Sequence, residues 1–349
     1  MTDSARPPAW AGVDDDHAAA SLLAHESISP EPGDAVALAA RLGARAPLPG
    51  TGRTAELWGL LATLAATDVG AARMVEPHLD ALAVLAQADD AGLDVDLDRV
   101  GADATSTWGV YAAEGPGVRL EATAADGAWR LTGTKPWCSL AATLSHALVT
   151  AWTPDGRRLF AVDLRTDAVR AADGPWHPRG LRQVVSAPVA FDDALAVPVG
   201  DAGWYLRRPG FAWGGIGVAA CWWGGAVGVA RTMFAAATAR EPDQVALAHL
   251  GAVDTGLHAA RTVLARAAAE VDAGTADGAT ARRARAVAAD VVQDVLARSA
   301  RSLGPGPLTT DEAHARRCAD LELYVRQHHA ERDAANHGRH LLEHGSAPW

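Results

Sequence analysis

Apolar residues follow two different periods along this chain, and the change of period separates regions of different structure. Leucines within residues 57–64 recur at the spacing of one helix face. Residues 107–198 instead contain short runs in which apolar and polar residues alternate, separated by turn residues such as the Asp-Gly pair at 126–127. From residue 211 onward the helical period returns. The pattern therefore predicts helical, β and helical regions in that order.

The boundaries of these regions divide the chain into segments. Residues 1–33 are rich in proline and are predicted to form a flexible N-terminal arm. An N-terminal helical domain is predicted at 34–104, a central β domain at 105–204 and a C-terminal helical bundle at 205–349. The strand spacing is typical of a small barrel or sandwich. The predicted fold class is α+β multidomain, with an N-terminal helical domain, a central β barrel or sandwich, and a C-terminal four-helix bundle.

Capping and breaking residues locate individual helices. Asp68 is a predicted N-cap for the second helix of the N-terminal domain. Pro77 lies inside that helix and is predicted to kink or restart it. Long helices are predicted over residues 245–272, 280–302 and 310–344, with glycine or proline between them.

Residues 211–230 contain no charged side chain. This run of twenty residues is long enough to span a membrane. The run also holds Gly224-x-x-x-Gly228, a spacing that packs membrane helices together. Six of its twenty residues are glycine, however, and no second run of this kind occurs. We therefore interpret the run as the buried helix of a helical bundle and expect no membrane association.

Charge and cysteine content narrow the function classes. The chain has 42 acidic and 31 basic residues and a net charge of -11, which disfavours nucleic acid and anionic lipid as partners. Its three cysteines, Cys138, Cys221 and Cys318, lack metal-ligand spacing and form no disulfide framework. With no basic and apolar leader at the N-terminus, we expect a cytoplasmic protein.

Several stretches carry a family resemblance. They are LTGTKPWCS at 131–139, VAFDD at 189–193, GGAVGVAR at 224–231 and LGPG at 303–306. In this order and spacing, they resemble the acyl-CoA dehydrogenase superfamily over residues 34–345. The resemblance implies that superfamily's fold.

The resemblance also implies an FAD cofactor. In it, Trp137 walls the isoalloxazine ring, and the Ser139 hydroxyl and nearby N–H groups, such as that of Cys138, bind the polar edge of the ring. The strand from Tyr111 to Ala113 corresponds to the other flavin-edge strand, where the family usually has a hydroxyl at the position of Ala113. The alternative for Trp137 is a core aromatic residue of the β domain.

The cofactor's pyrophosphate requires positive charge or aimed N–H groups. The resemblance assigns it to Arg240, although the Phe-Gly that follows in the family is absent here. A second candidate is Arg301, beside the Gly-rich turn at Gly304, where it would face a cofactor across a subunit interface. The alternative for either arginine is a solvated charge at a helix end.

The catalytic base of the family is a glutamate on the last long helix, four residues after a tyrosine. Four residues after Tyr324 this chain has His328, so the expected carboxylate is missing. We predict that His328 is the base, or that Glu331 or Glu322 is recruited. The alternative is that the family's oxidation is not performed.

The same terminal region contains His329, Asp333 and His337 at a spacing that could bind a metal ion on one helix face. Nothing else marks a ligand shell, so an exposed terminal helix is the preferred interpretation. We expect no metal site.

The resemblance implies a flavin-dependent oxidoreductase that desaturates an acyl thioester, such as an acyl-CoA, or a related acyl substrate. Electrons would pass to a separate electron-acceptor flavoprotein. Two alternatives are a flavin monooxygenase of the same fold and a non-catalytic subunit that pairs with an intact homologue. A homodimer, a homotetramer or a heteromer with such a homologue is expected, because the C-terminal bundle would bury apolar helices between subunits.

Overall fold

The computed structural model of the protein describes residues 21–172, 174–343 and 345. Residues 1–20 of the predicted arm therefore lie outside the described residues. The N-terminal helices are α1 (Pro32–Gly43), α2 (Thr54–Thr67) and α3 (Val69–Asp90). A short 3-10 helix, Leu97–Val100, leads to the first strand.

Two predictions concern the start and the interior of α3, and the structure agrees with one of them and differs from the other. Asp68 is the N-cap of α3, and its Oδ1 accepts a 2.8 Å hydrogen bond from the N–H of Ala71. Pro77 does not restart the helix, because α3 runs without a break from Val69 to Asp90. Most of the surrounding helix is buried, so tertiary packing outweighs the hydrogen bond that proline removes.

The central domain is a closed sheet. Its strands are β1 (Trp108–Tyr111), β2 (Leu120–Ala125), β3 (Ala128–Lys135), β4 (His146–Thr153), β5 (Gly156–Asp163), β6 (Val169–Ala171) and β7 (Val189–Val199). Strand β3 pairs with β2 and β7, β5 pairs with β7 and β4, and β4 pairs with β2 to close the ring. Strands β1 and β6 pair outside this ring, with β4 and β7. Of the two predicted forms, the domain is thus a barrel.

The C-terminal region is helical. Its helices are α4 (Trp204–Arg207), α5 (Pro209–Ala239), α6 (Gln244–Asp272), α7 (Gly278–Leu303), α8 (Gly306–Thr310), α9 (Glu312–Tyr324) and α10 (Glu331–Glu343). Helix α5 is central and packs on α2, α3, α6, α7 and α9. The predicted fold class is confirmed by this order of helical, β and helical regions.

The prediction of a single helix over residues 310–344 is wrong. The chain breaks it into α8, α9, a 3-10 turn at Val325–Gln327 and α10. The break has side-chain causes: the N–H of His329 donates to Asp333 Oδ2 at 3.0 Å, and Arg285 donates to the carbonyl oxygen of Gln327 at 3.1 Å. Ala330 has φ 45°, outside the right-handed helical region.

Helix α5 contains the uncharged run. Among the described residues it is the helix long and apolar enough to cross a membrane, and 67% of its most apolar window is buried inside the protein. The Gly224 and Gly228 pair lies against α2: a Cβ at these positions would come within 2.1 Å of the Ala62 carbonyl oxygen and 2.7 Å of that of Ala66. The GxxxG spacing therefore serves close packing of two helices within this chain.

This packing predicts that replacing glycine by alanine changes the free energy of unfolding in opposite directions at two positions. Gly224→Ala forces α2 and α5 apart, because the obstructing atom is a backbone oxygen, and should lower the free energy of unfolding by about 3 kcal/mol. Gly251→Ala, on the exposed face of α6 with nothing within 4 Å, should raise it by about 1 kcal/mol. Urea unfolding followed by circular dichroism measures both. Equal stability of Gly224→Ala and the wild type would contradict this account.

Candidate active site

Trp137 stands out from the end of β3 with an open indole face. Its backbone has φ 60°, and the residue is 60% exposed. The turn around it is rigid, because the N–H of Cys138 donates to Ala187 O at 3.1 Å and that of Leu140 to Val185 O at 2.8 Å. The core-aromatic alternative for Trp137 therefore does not hold. The thiol of Cys138 is buried, and burial raises its pKa to about 12, so it remains neutral.

Ser139 is the centre of a hydrogen-bond network beside Trp137. Its Oγ accepts from Arg73 Nη2 at 3.1 Å and lies 2.8 Å from Ser186 Oγ. Because the Ser186 hydroxyl donates to Val184 O, the Ser139 proton must go to Ser186. Ser139 thus keeps one free lone pair and can accept one further hydrogen bond. The buried Tyr111 hydroxyl donates to Ser139 O at 2.9 Å, so it fixes this turn.

The strand end that follows Tyr111 is held by the chain's one lysine. Lys135 Nζ, on a side chain 1% exposed, donates to Glu114 Oε1 at 2.7 Å and to Thr150 Oγ1 at 2.9 Å. Burial would raise the pKa of Glu114, but the hydrogen bond and charge of Lys135 outweigh it, and the net shift is downward. The pair is therefore ionised and structural. Ala113 is exposed beside it and offers no side-chain hydrogen bond.

A row of stacked side chains leads from Ser139 into the helical region. The Arg73 guanidinium lies 5.7 Å from the centre of the Tyr324 ring. Tyr324 is edge-on to Trp222, and Trp222 is edge-on to His328, with ring centres 6.3 Å apart in each pair. The Ser139 network and His328 are thus joined by continuous contacts.

Of the predicted bases, only His328 lies on this row. Its side chain is 9% exposed, and its Nε2 is 3.8 Å from Asp333 Oδ2. Burial lowers its pKa, as does Arg285, and these effects outweigh the upward effect of Asp333. The imidazole is therefore neutral at pH 7 and able to accept a proton. Glu331 and Glu322 are exposed on α10 and α9.

Helix α3 presents three charged residues at helical spacing: Arg73, Glu76 and Asp80. Glu76 is 8% exposed, whereas Arg73 and Asp80 are partly exposed. Burial, and then the charge of Asp80, raise the pKa of Glu76 to about 8 despite Arg73 and Arg285. Burial also raises the pKa of Asp80, against the effect of Arg208. Together with Arg208 and Arg285, we call these residues the polar cluster.

Glycines of α5 make room for the polar cluster. A Cβ on Gly214 would come within 2.6 Å of Asp80 Oδ1, and one on Gly215 would lie 3.5 Å from Arg285 Cδ. Arg285 Nη1 donates to Gly215 O at 2.7 Å, and its guanidinium lies 4.7 Å from the centre of the Trp222 ring. The side chains from α3 and α7 therefore meet where α5 has none.

The predicted phosphate ligands lie together at the other end of α5. Arg240 and Arg301 both line a groove of about 340 Å³ between the end of α5, the start of α6 and the end of α7. Glu241 and Asp243 line it as well, so its charges are balanced. Gly304, with φ 67°, ends α7 next to the groove. Arg240 is 18 residues after Trp222, or about 27 Å along the helix axis.

The three residues of the metal alternative do not share one helix. His329 precedes α10, its backbone N–H donates to Asp333, and His337 Nδ1 accepts from Arg282 Nε at 3.3 Å. In the part of the chain that the structure describes, no group of histidine, cysteine, aspartate or glutamate side chains is arranged to hold a metal ion.

Comparison with known protein families supports the fold described above. Residues 201–327 match the family model described as the acyl-CoA dehydrogenase C-terminal domain. The chain has the acyl-CoA dehydrogenase fold, and the family match covers its C-terminal helical region. No curated protein matches the sequence.

Solved structures of this fold match nearly the whole chain at low identity. KijD3, solved with FMN and dTDP-3-amino-2,3,6-trideoxy-4-keto-3-methyl-D-glucose, has a TM-score of 0.79 and 19% identity, covering 99% of this chain and 97% of its own. Butyryl-CoA dehydrogenase from Megasphaera elsdenii has a TM-score of 0.78 and 17% identity, covering 98% of this chain and 99% of its own. TdsC from Paenibacillus sp. A11-2, solved with indole, has a TM-score of 0.69 and 18% identity, covering 84% of each chain. Such likeness shows the fold.

The sequence did not single out Glu76, Asp80, Arg208 or Arg285. A signal for two of them existed: Glu76 and Asp80 are acidic residues one turn apart in a helix whose neighbouring positions are apolar. The arginines carried no such signal, because arginine is abundant throughout the chain.

Proposed function

We propose that this protein is a flavin-dependent oxidoreductase and that His328 accepts the substrate proton. The observation that carries the proposal is the neutral imidazole of His328, joined through Trp222, Tyr324 and Arg73 to the Ser139 network. The proton acceptor therefore lies at one end of this row of contacts, and Trp137, two residues before Ser139 in the sequence, lies at the other.

The residues beside Trp137 fit a flavin ring. The open indole face suits a flat aromatic ring, and the free lone pair of Ser139 suits a ring N–H donor. Arg73 adds positive charge next to that hydroxyl. Ala113 removes one hydrogen bond that a hydroxyl would supply, worth about 1 kcal/mol. The sequence predicts FAD, and KijD3 was solved with FMN.

A bound flavin would accept hydride from a substrate carbon. The protein's own residues then have separate tasks. His328 takes the proton at a ring nitrogen, Asp333 sets the position and charge of that ring, and Trp222 holds it edge-on. The reaction we propose is α,β-desaturation of an acyl thioester or a related activated acyl substrate.

Oxygenation is the second candidate. The polar cluster places five charged residues against the glycine-rich part of α5, and desolvating them would disfavour a fatty acyl chain at that place. A polar substrate fits this arrangement, and the same fold occurs in the dibenzothiophene monooxygenase TdsC, so the fold does not restrict the reaction to desaturation. Anaerobic bleaching of the flavin by butyryl-CoA would support desaturation. Oxygen consumption with supplied reduced flavin would support oxygenation.

Trp137→Ala should weaken flavin binding about tenfold, because the ring loses its stacking partner. Trp137→Phe, which keeps an aromatic face, should bind within about threefold of the wild type. Visible absorption titrations of the purified protein with FAD and with FMN measure the affinity and the preferred form. No flavin band with either cofactor would contradict the proposed function and favour a non-catalytic subunit.

His328→Ala should lower turnover by about 10²–10⁴-fold while flavin binding is retained. The control is His329→Ala, which removes the adjacent imidazole, 61% exposed, and should have little effect. Unchanged turnover of His328→Ala would remove this residue from the mechanism.

The pH profile offers a separate check on His328. The base is active when unprotonated and its pKa is lowered, so turnover should be level above pH 7 and fall on acidification below the ordinary histidine value of about 6.5. Asp333 raises this pKa, so Asp333→Asn should move the acid limb to lower pH. A shift to higher pH would contradict the assigned role.

A further inference from the structure

The two carboxylates of the polar cluster lack hydrogen-bond donors. Glu76 and Asp80 accept no hydrogen bond and form no ion pair within the described part of the chain, although Glu76 is 8% exposed. Buried carboxylates are normally paired, because an unpaired charge is costly to remove from water. Residues four apart on a helix have Cβ atoms about 5–6 Å apart, so one small cation can contact both carboxylates.

The neighbouring arginines do not fill this role. Arg285 donates to the carbonyl oxygens of Gly215 and Gln327. Arg208 donates to Gln87 Oε1 at 2.8 Å, and Arg73 donates to Ser139. The arginines act on the carboxylates only through longer-range charge. The acceptors therefore remain available to a ligand.

Two further buried polar groups, on Tyr324 and Trp222, have no oxygen or nitrogen partner within the described residues. The Tyr324 hydroxyl, on a residue 1% exposed, has the Cys221 thiol beside it and meets no oxygen or nitrogen acceptor among the described residues. Burial, then the charges of Cys221 and Glu76, raise the pKa of Tyr324, which places Glu76 in its surroundings. The Trp222 indole N–H, also buried, has no acceptor in the same part of the structure. These donors suit a ligand with hydroxyl or carbonyl oxygens.

We propose that Glu76 and Asp80 bind a protonated amine, so that the substrate is an amino compound that also carries hydroxyl or carbonyl groups. The inference rests on the proposed function only in taking this amine to belong to the molecule that is oxidised. An ammonium group forms charge-assisted hydrogen bonds with both carboxylates. An ammonium group also interacts favourably with aromatic rings, and the rings of Tyr324 and Tyr205 lie within charge range of Glu76 and Asp80, respectively.

The raised pKa of Glu76 agrees with this assignment. In the empty site the glutamate holds a proton near neutral pH, because burial and Asp80 both oppose its ionisation. A ligand ammonium replaces that proton and restores the ionised form. An anionic or purely apolar ligand leaves the two carboxylates desolvated and unpaired.

The test uses two probes of the same shape, cyclohexylamine and cyclohexanol. Titration calorimetry of the wild-type protein should show the amine binding at least about tenfold more tightly than the alcohol, the difference expected for charge-assisted hydrogen bonds. In the Glu76→Gln/Asp80→Asn double variant, this preference should fall to less than about threefold. Both substitutions preserve side-chain shape, and circular dichroism verifies the fold.

The matched control is Asp90→Asn, which removes an exposed carboxylate at the end of the same helix and should leave the preference intact. Equal affinity of the wild type for both probes would overturn the proposal. So would an unchanged preference in the double variant.

Titrations run with and without flavin separate this inference from the proposed function. Amine selectivity in a protein that binds no flavin would support the amine site while overturning the proposed oxidoreductase. A normal flavin band without amine selectivity would overturn the amine site alone.

Discussion

The structure depends on how closely other elements approach the backbone of α5. At Gly224 and Gly228 the approaching element is α2, and carbonyl oxygens occupy the space that side chains would need. At Gly214 and Gly215 the approaching groups are instead the side chains of Asp80 and Arg285. One helix therefore makes a closely packed contact along one part and leaves room for charged side chains along another. Substituting its glycines would close the polar cluster as well as loosen the core.

The charged residues of the polar cluster do not pair with one another. The arginines have hydrogen-bond partners and the carboxylates have none in the part of the chain that the structure describes, and this difference matters for function. Each arginine donates to a neutral acceptor: Arg285 to carbonyl oxygens, Arg208 to an amide and Arg73 to a hydroxyl. Burial raises the pKa of both carboxyl groups, and the charge of Asp80 raises that of Glu76 further. A cluster built for stability alone would join these opposite charges directly, because removing charge from water is favourable only when it is well paired.

The sequence predicted the features that depend on local chemistry. The change of period predicted the order of regions, Asp68 predicted a helix start, and the motif around Trp137 predicted an aromatic ring in the open. Features set by distant contacts were missed. Pro77 stays within α3 because the helix is buried, and the helix predicted over 310–344 breaks where Arg285, from α7, binds a carbonyl. The polar cluster was missed for the same reason, since its members come from separate helices.

The position of the Arg240 and Arg301 groove constrains the form of the cofactor. The groove lies at the C-terminal end of α5, whereas the polar cluster meets the N-terminal half of that helix. An FAD whose ring contacts Trp137 would use these arginines most simply from a second copy of the chain, as the sequence predicts for Arg301. FMN would need no such contact. Because Glu241 and Asp243 neutralise the groove, its arginines attract a phosphate less strongly than an unopposed pair would, which weakens the case for the longer cofactor.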